Sequence, residues 1–297
     1  MKKKVTSPPT VLSIPYTKFL ALRLRTAASK YLELDARKRQ FRLFTLDNDA
    51  IGCHVRGAGA YEPEVLAAIA AIAGTSMDGV ALDIGANIGN HTIILSRCFA
   101  RVLAFEPNPM LASVLDANLR LNGCTNVKIV KRGLSDRRVH GHLKQRQVGN
   151  SGTFEFIESV GKTDSDDDLR HTGVELARGD EILMSVLAPP ERIRIIKIDI
   201  EGGELAALRG LEAHLKRDMP IVCFEVRNAA EGEPVREFLE TVGYSHFTSV
   251  GATRLSMRSI AKMLVPSTWS KHYRLTSIKH FENRHYPAIF ASAAPVP

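Results

Sequence analysis

A chain of 297 residues with 44% hydrophobic and 24% charged residues is long enough for one sizeable core, at the upper end of what remains a single domain. Its four cysteines, Cys53, Cys98, Cys124 and Cys223, share no short spacing, which excludes a zinc knuckle or redox motif and predicts a reducing compartment. The net charge of +8 is uneven: residues 1–45 carry +9 and residues 251–297 carry +6, leaving about −7 between them. Basic ends around an acidic centre suit contact with an anionic surface, such as a membrane leaflet, a phosphorylated glycan carrier or nucleic acid, and equally suit solvated tails.

In chain order, Ser7, Pro8, Pro9 and Pro15 mark an extended lead-in. From Lys18 to about Gln40, Phe19, Leu22, Ala27, Tyr31 and Leu34 recur at roughly helical spacing between basic residues, predicting a helix for a membrane surface or for packing on the main domain. No apolar run spans a bilayer, and Pro15, Lys18, Arg23 and Arg25 interrupt any signal-peptide core, so a cytoplasmic protein is expected, peripheral at most to the inner face of a membrane. From residue 61 strand and helix patterns alternate. A helix over Glu64–Ala73 precedes strand VALDI (80–84), a helix from Gly89 to Phe99, strand VLAFE (102–106), a helix from Pro109 to Asn122 and strand VKIVK (127–131). The rhythm breaks between Gly133 and Arg192, where HGHLKQ, GTFEF and VELARG read as a β-rich insertion interrupted by the polar run KTDSDDDLR. Its acids Asp164–Asp168 suit a cation or a solvated loop. The alternation resumes with IRIIKIDI (193–200), a helix over Glu204–Leu215, IVCFEV (221–226) and a helix over Pro234–Val242; FTSV (247–250) and AIFAS (288–292) read as a closing pair.

The fold expected is therefore α/β and Rossmann-like: a mostly parallel seven-stranded sheet with helices on both faces, a β-rich insertion at 137–191 and a helical N-terminal extension. Residues 1–50 form the basic extension, 51–250 the main domain, and 251–297 a basic segment closing the sheet.

Strand 80–84 ends in Asp83, and Gly85-Ala86-Asn87-Ile88-Gly89-Asn90 follows before a helix. Its glycines allow close ligand approach at the carboxyl edge of the sheet. Glu106 ends the next strand, 23 residues beyond Asp83, in position to accept ribose hydroxyls. Together they indicate a nucleoside ligand. A dinucleotide site needs G-x-G-x-x-G and no anion near its pyrophosphate, yet Asn87 stands at the second glycine and Asp83 at the mouth of the loop. The ammonium and sulfonium of S-adenosylmethionine are attracted there, while its carboxylate can use free N–H groups near Asn90, His91 and Thr92.

The strings DIGANIGNHT (83–92), FEPNP (105–109), NLRLNG (118–123), GLSD (133–136) and IKIDIEGGE (196–204) resemble, in order and style, the FkbM methyltransferase family over roughly residues 55–250. The resemblance implies a Rossmann-like S-adenosylmethionine-dependent enzyme acting mostly on oxygen, with sugars, glycan-linked residues and polyketide-type hydroxyls among its acceptors. At matching positions it implies cofactor binding by Asp83, Gly85, Asn87, Gly89 and Glu106, with Pro107 and Asn108 shaping the adenosine pocket and Leu134 and Ser135 walling the adenine. Asp136 suits either the adenine amino group or a turn.

Asp199 and Glu201 fall where the transferred methyl group is expected. A carboxylate there can take the acceptor's proton, orient its hydroxyl, or only fix the cofactor loop; Asp199 is the first candidate and Glu201 the second. Glu225 adds a divalent-metal option, although no metal is assigned. Lys197, on the same side as Asp199, suits an ion pair. His54, His91, His140 and His142 lack metal-ligand spacing.

The reading that follows is an O-methyltransferase for a sugar, glycan or small-molecule hydroxyl. The alternatives are an RNA methyltransferase, which the basic ends favour, and a non-catalytic cofactor-binding scaffold. The absence of an Asn/Asp-Pro-Pro-aromatic motif and the single Trp speak against the first, and the intact cofactor loop against the second.

Overall fold

The computed structural model describes residues 42–46, 52, 54–55, 60–74, 78–145, 154–159, 172–252 and 273–296. The helix expected over 18–40, the acidic run 164–168 and most of the basic extension lie outside the described residues.

Two sheets organise these residues. The larger comprises β1 (Val80–Ile84), β2 (Arg101–Phe105), β3 (Val127–Val130), β8 (Ile193–Ile198), β9 (Ile221–Val226), β10 (His246–Ala252), β11 (Tyr273–Ser277) and β12 (Tyr286–Ser292). Their order is β11-β10-β12-β9-β8-β1-β2-β3. The smaller contains β4 (Gly133–Ser135), β5 (Val139–Gln145), β6 (Phe154–Glu158) and β7 (Thr172–Arg178), in the order β4-β7-β5-β6. The helices are α1 (Pro63–Ala73), α2 (Asn90–Cys98), α3 (Pro109–Leu121), α4 (Gly179–Val186), α5 (Glu204–Arg209), α6 (Glu212–Asp218) and α7 (Ala229–Val242).

The five strands β9, β8, β1, β2 and β3 pair in parallel, whereas β12 joins β9, and β10 joins β12 and β11, in antiparallel fashion. The Rossmann-like α/β expectation holds, and all seven expected strands are in the large sheet. The count of seven needs correction, because the polar segment YRLTS adds β11 at the edge and makes the sheet mixed with eight strands. Hydrophobic patterning did not mark that strand, since only one side of it meets a neighbour. Three further differences concern local geometry. GLSD contains strand β4, residues 179–186 form a helix, and the helix expected over 204–215 breaks into α5 and α6 at Gly210 and Leu211. At Gly210 an added Cβ would come within 2.0 Å of the Ser135 carbonyl oxygen, so β4 approaches through this gap in the helical layer.

Strand β1 is buried throughout, which explains its unbroken apolar run. Leu82 and Ile84 face one core with Leu208 of α5, Leu215 of α6 and Leu239 of α7, whereas Ala81 faces a second with Ile69 of α1, Ile93 of α2 and Leu119 of α3. Chain order reverses between β1 and β8: β2 and β3 lie beyond β1 on one side, β8 and β9 on the other. The carboxyl ends diverge at that switch point and leave a crevice, the position where open α/β sheets bind ligands.

The N-terminal segment 42–46 is fastened to α3 by side-chain amides. Asn122 pairs with the Arg42 backbone and Asn118 with that of Phe44, each amide both donating and accepting. Asn118 also donates to the Ile88 carbonyl at 2.8 Å, tying the segment to the loop after β1. Two asparagines of the NLRLNG string are thereby structural.

Candidate active site

At the switch point opens a cavity of about 510 Å³, within the range of small-molecule sites. The loop after β1 and the ends of β2, β8 and β9 line its floor. The small sheet forms the far wall through Leu134, Ser135, Val139, Leu143, Phe154, Phe156 and Leu176. Phe154 and Phe156 project from the same face of β6, as the two-residue period of a strand requires.

Gly85 has φ +80°, and a Cβ there would meet the Asp199 carbonyl oxygen at 2.0 Å, so only glycine allows β1 and β8 to converge here. The N–H groups of Gly85 and Ala86 both donate to the Phe105 carbonyl at 3.0 Å. The loop therefore offers close approach, and ligand donors come instead from the first turn of α2, which no side chain caps. Glu106 is almost wholly buried and accepts the N–H groups of Asn87 (2.9 Å) and Asn108 (2.8 Å). Burial pushes its carboxyl up to about 7 against those two donors. Asn108 caps α3 by accepting from the Met110 N–H at 3.0 Å, which leaves Pro107 on the cavity surface.

Gly85, Ala86, Asn87, Asn90, His91, Glu106, Pro107, Asn108, Leu134, Ser135, Asp199 and Glu201 all line this cavity. Asp83, Gly89 and Thr92 lie behind that lining. Asp83 is fully buried: its place in β1 directs it inward, where Thr92 Oγ1 donates to it at 2.5 Å and Lys197 Nζ lies 3.8 Å away. Asp83 and Lys197 are register partners on adjacent parallel strands, so their proximity follows from the sheet itself. Gly89 turns the chain at φ +97° beneath Leu115. Asn90 reaches the cavity, but its amide is spent on the Tyr61 backbone, accepting at 3.0 Å and donating at 2.9 Å. That grip brings Tyr61 and Glu62 over the site. Asp136 is not among the lining residues and contacts Ser135 and Arg137 instead.

Alternation along β8 and β9 aims Lys197, Asp199, Cys223 and Glu225 at one face, toward Glu62 and His91. Lys197 Nζ donates to Asp199 at 3.3 Å. Burial alone would lower this ammonium, but Asp199 and Asp83 outweigh it and hold it above its ordinary range. Burial would raise Asp199, and Lys197 and His91 reverse that, keeping it below the usual carboxylate range. Burial and then the adjoining Asp199 and Glu201 push Glu225 up to about 8, so near neutral pH it holds a proton and shares it with Asp199. Glu201, at φ 60°, lies 3.4 Å from Arg227, which also grips Glu231. Glu204 accepts the N–H groups of Ile200 and Gly202 and closes the loop between β8 and α5.

A family model for the methyltransferase FkbM domain matches residues 83–246. The chain belongs to the FkbM methyltransferase family. Methyltransferase sdnD of Sordaria araneosa is 32% identical over 156 residues, 44% of this chain and 60% of that protein. Hexuronic acid methyltransferase AglP of Haloferax volcanii is 28% identical over 162 residues, 54% and 62% of the respective chains. The chain thus spans about 60% of the length of these curated relatives. A crystal structure of an FkbM methyltransferase from Methylobacillus flagellatus KT superposes with a TM-score of 0.46 at 14% identity, covering 93% of this chain and 59% of that one.

Several lining residues of this FkbM-family cavity were not singled out from sequence. Arg137 carried no motif, and Tyr61 was legible only within YEPE (61–64), a segment that also fits the family, with no role assigned to it. Phe154 and Phe156 were legible as an alternating F-x-F pair, without any sign that they faced a ligand. His285, which contacts Glu225, lies outside the family match, and its only flag is the proline two residues on that opens β12.

Lys197→Met leaves buried Asp83 and half-buried Asp199 without their cation and is expected to destabilise the protein by about 3–5 kcal/mol near neutral pH. Without Lys197 the Asp199 carboxyl loses the ammonium that holds it low and moves up, so the folded state binds more protons and the deficit shrinks as pH falls. Urea unfolding of both proteins across pH checks this; a deficit independent of pH would contradict it.

Proposed function

We propose that the protein is an S-adenosylmethionine-dependent methyltransferase that transfers a methyl group to a hydroxyl oxygen of a sugar, a glycan-linked residue or a small molecule. One observation carries the reading: a single cavity joins a buried carboxylate at the end of β2, an uncapped helix start and a proton-sharing acidic pair at the end of β8 and β9. That donor set fits a nucleoside bearing one carboxylate and a positive centre. The cradle at Gly85 supports close backbone approach. Lys197 lies between Asp83 and Asp199, and the carboxyls that line the cavity and can attract a cation are Asp199, Glu201 and Glu225, with Asp83 behind them.

When bound, the cofactor supplies a methyl group on a positively charged sulfur. In this reading Glu106 accepts the ribose hydroxyls, Pro107, Asn108, Leu134 and Ser135 enclose the adenine, and the first turn of α2, Asn90–Thr92, receives the carboxylate. Asp199 accepts the proton that the acceptor hydroxyl loses as its oxygen bonds to carbon. Lys197, fixing one Asp199 oxygen at 3.3 Å, orients the other. Glu201, engaged by Arg227, serves as a secondary orienting group. Phe154, Phe156 and Leu143 offer apolar surface for one face of a sugar ring or for a hydrophobic acceptor. The name of the Haloferax relative, which acts on a hexuronic acid, supports a sugar acceptor. The expected anionic membrane contact through the basic ends is retained as part of this proposal.

Ribose hydroxyls favour ionised Glu106, whose carboxyl in the free protein titrates at about 7. Affinity for S-adenosylhomocysteine should therefore weaken as pH falls below about 7, approaching tenfold per unit in the acidic limit. Glu106→Gln should bind more weakly above that pH and lose the slope; calorimetry on both proteins measures it. The function itself is tested by transfer of labelled methyl groups from S-adenosylmethionine into cell fractions. Label is expected in glycan or small-molecule fractions, and Asp199→Asn should lose at least about a hundredfold in turnover while still binding cofactor. Label confined to RNA or protein would contradict the proposal.

A further inference from the structure

Glu225 has a second partner that the methyl-transfer reading does not use. Its Oε1 lies 2.5 Å from Nε2 of His285, in the segment leading into β12. Glu225 itself is mostly covered, with 21% of its side chain accessible, whereas His285 is 52% accessible. One imidazole therefore bridges the floor of the cavity to bulk water. Its position is built into the fold. Phe281 N–H donates to Glu233 at 2.8 Å, Glu282 N–H donates to the Tyr286 hydroxyl at 2.9 Å, and Arg284 lies over the Tyr286 ring. Tyr286 pairs with Val226, the residue after Glu225, so His285 precedes its strand at the end where Glu225 lies.

We infer that His285 is the outer member of a proton path, Asp199 to Glu225 to His285, through which the acidic pair discharges its shared proton to solvent when a positive centre is bound beside Asp199. The inference rests on the sulfonium-cofactor reading above. Balance is simple. At rest the two carboxyls hold one proton between them. It passes from Glu225 Oε1 to His285 Nε2, and the imidazolium releases a proton from Nδ1 to water, leaving two carboxylates opposite the bound positive charge and Lys197. Asp199 is then empty and able to accept the acceptor's proton, which leaves along the same route after transfer. His285 acts through Glu225 and is a positioning residue for the base.

The groups facing the pair come from the neighbouring elements: Asp83 on β1, Lys197 on β8, Cys223 on β9, Glu201 after β8, Tyr61 and Glu62 ahead of α1, and His91 on α2. Arg227, after β9, approaches through Glu201. On the solvent side His285 has Arg284, itself paired with Glu282, as its charged neighbours. Lys197, the cation touching Asp199 at 3.3 Å, is shared with Asp83 at 3.8 Å, so two carboxyls divide one ammonium and a further positive charge has unbalanced negative charge to act on.

The test needs no acceptor. Calorimetry of the full chain with S-adenosylmethionine and with S-adenosylhomocysteine, in buffers of different ionisation heat, counts protons released on binding. Glu106 ionises with either ligand, and once each ligand's own amine titration is subtracted the remaining difference between them reports the pair. Wild type should release up to about one more proton with S-adenosylmethionine between about pH 7 and 9. Glu225→Gln should abolish the excess, and His285→Gln should shift its profile by about one pH unit, since the carboxyl loses its imidazole hydrogen-bond partner. A residue that only props up the loop would leave the proton count unchanged. Equal release for the two ligands in wild type, or a His285→Gln profile superimposed on wild type, would overturn the path. Absence of binding by either ligand would instead remove the cofactor reading, and the path with it.

Discussion

Lys197 carries an ammonium group into the interior of a parallel sheet, where it faces Asp83 on the neighbouring strand and Asp199 at the end of its own. Burying Lys197 and Asp83 is costly, and that cost is offset by their mutual attraction, by the partly exposed Asp199 and by a hydrogen bond from Thr92 to Asp83. The result is directional. Asp83 lies behind the ammonium, so the carboxyls that meet the cavity are those beyond it. Asp199 is held ionised by the same ammonium, while Glu225, with no such partner, retains a proton near neutral pH.

That division assigns different work to acids that look alike. Glu106, satisfied by two backbone donors, is a shaped acceptor. Glu204 folds the loop after β8, and Glu201 is engaged by Arg227. Only Asp199 and Glu225 remain as a pair able to exchange protons, and they lie where Gly85 lets the backbone of β1 approach β8 most closely. The second sheet covers this centre with aromatic and aliphatic side chains. A dry wall strengthens electrostatic contacts within the cavity.

Much of this was legible in the sequence, because the parallel strands announce themselves as unbroken apolar runs ending in acids. VALDI, VLAFE, IRIIKIDI and IVCFEV fall at the predicted places, and the glycine loop and Glu106 come together as their spacing implies. What escaped was decided by tertiary contact. Whether Asp83 points to ligand or to Lys197 depends on inter-strand register, which no local motif records. The amides of Asn90, Asn118 and Asn122 grip backbone far away in the chain, so residues that resemble ligand contacts turn out to fasten segments. His285 is 60 residues from Glu225, and an antiparallel strand had to be threaded between β9 and β10 to bring them together. Edge strand β11, polar and one-sided, gave periodicity nothing to detect.

A crystal structure of the complex with S-adenosylhomocysteine tests the account most directly, because it shows which acids meet the ligand. The account predicts the ribose on Glu106, the sulfur facing Asp199, and Lys197 still lodged between Asp83 and Asp199. A ligand amine displacing Lys197 from Asp83, or a ribose bound away from Glu106, would contradict it.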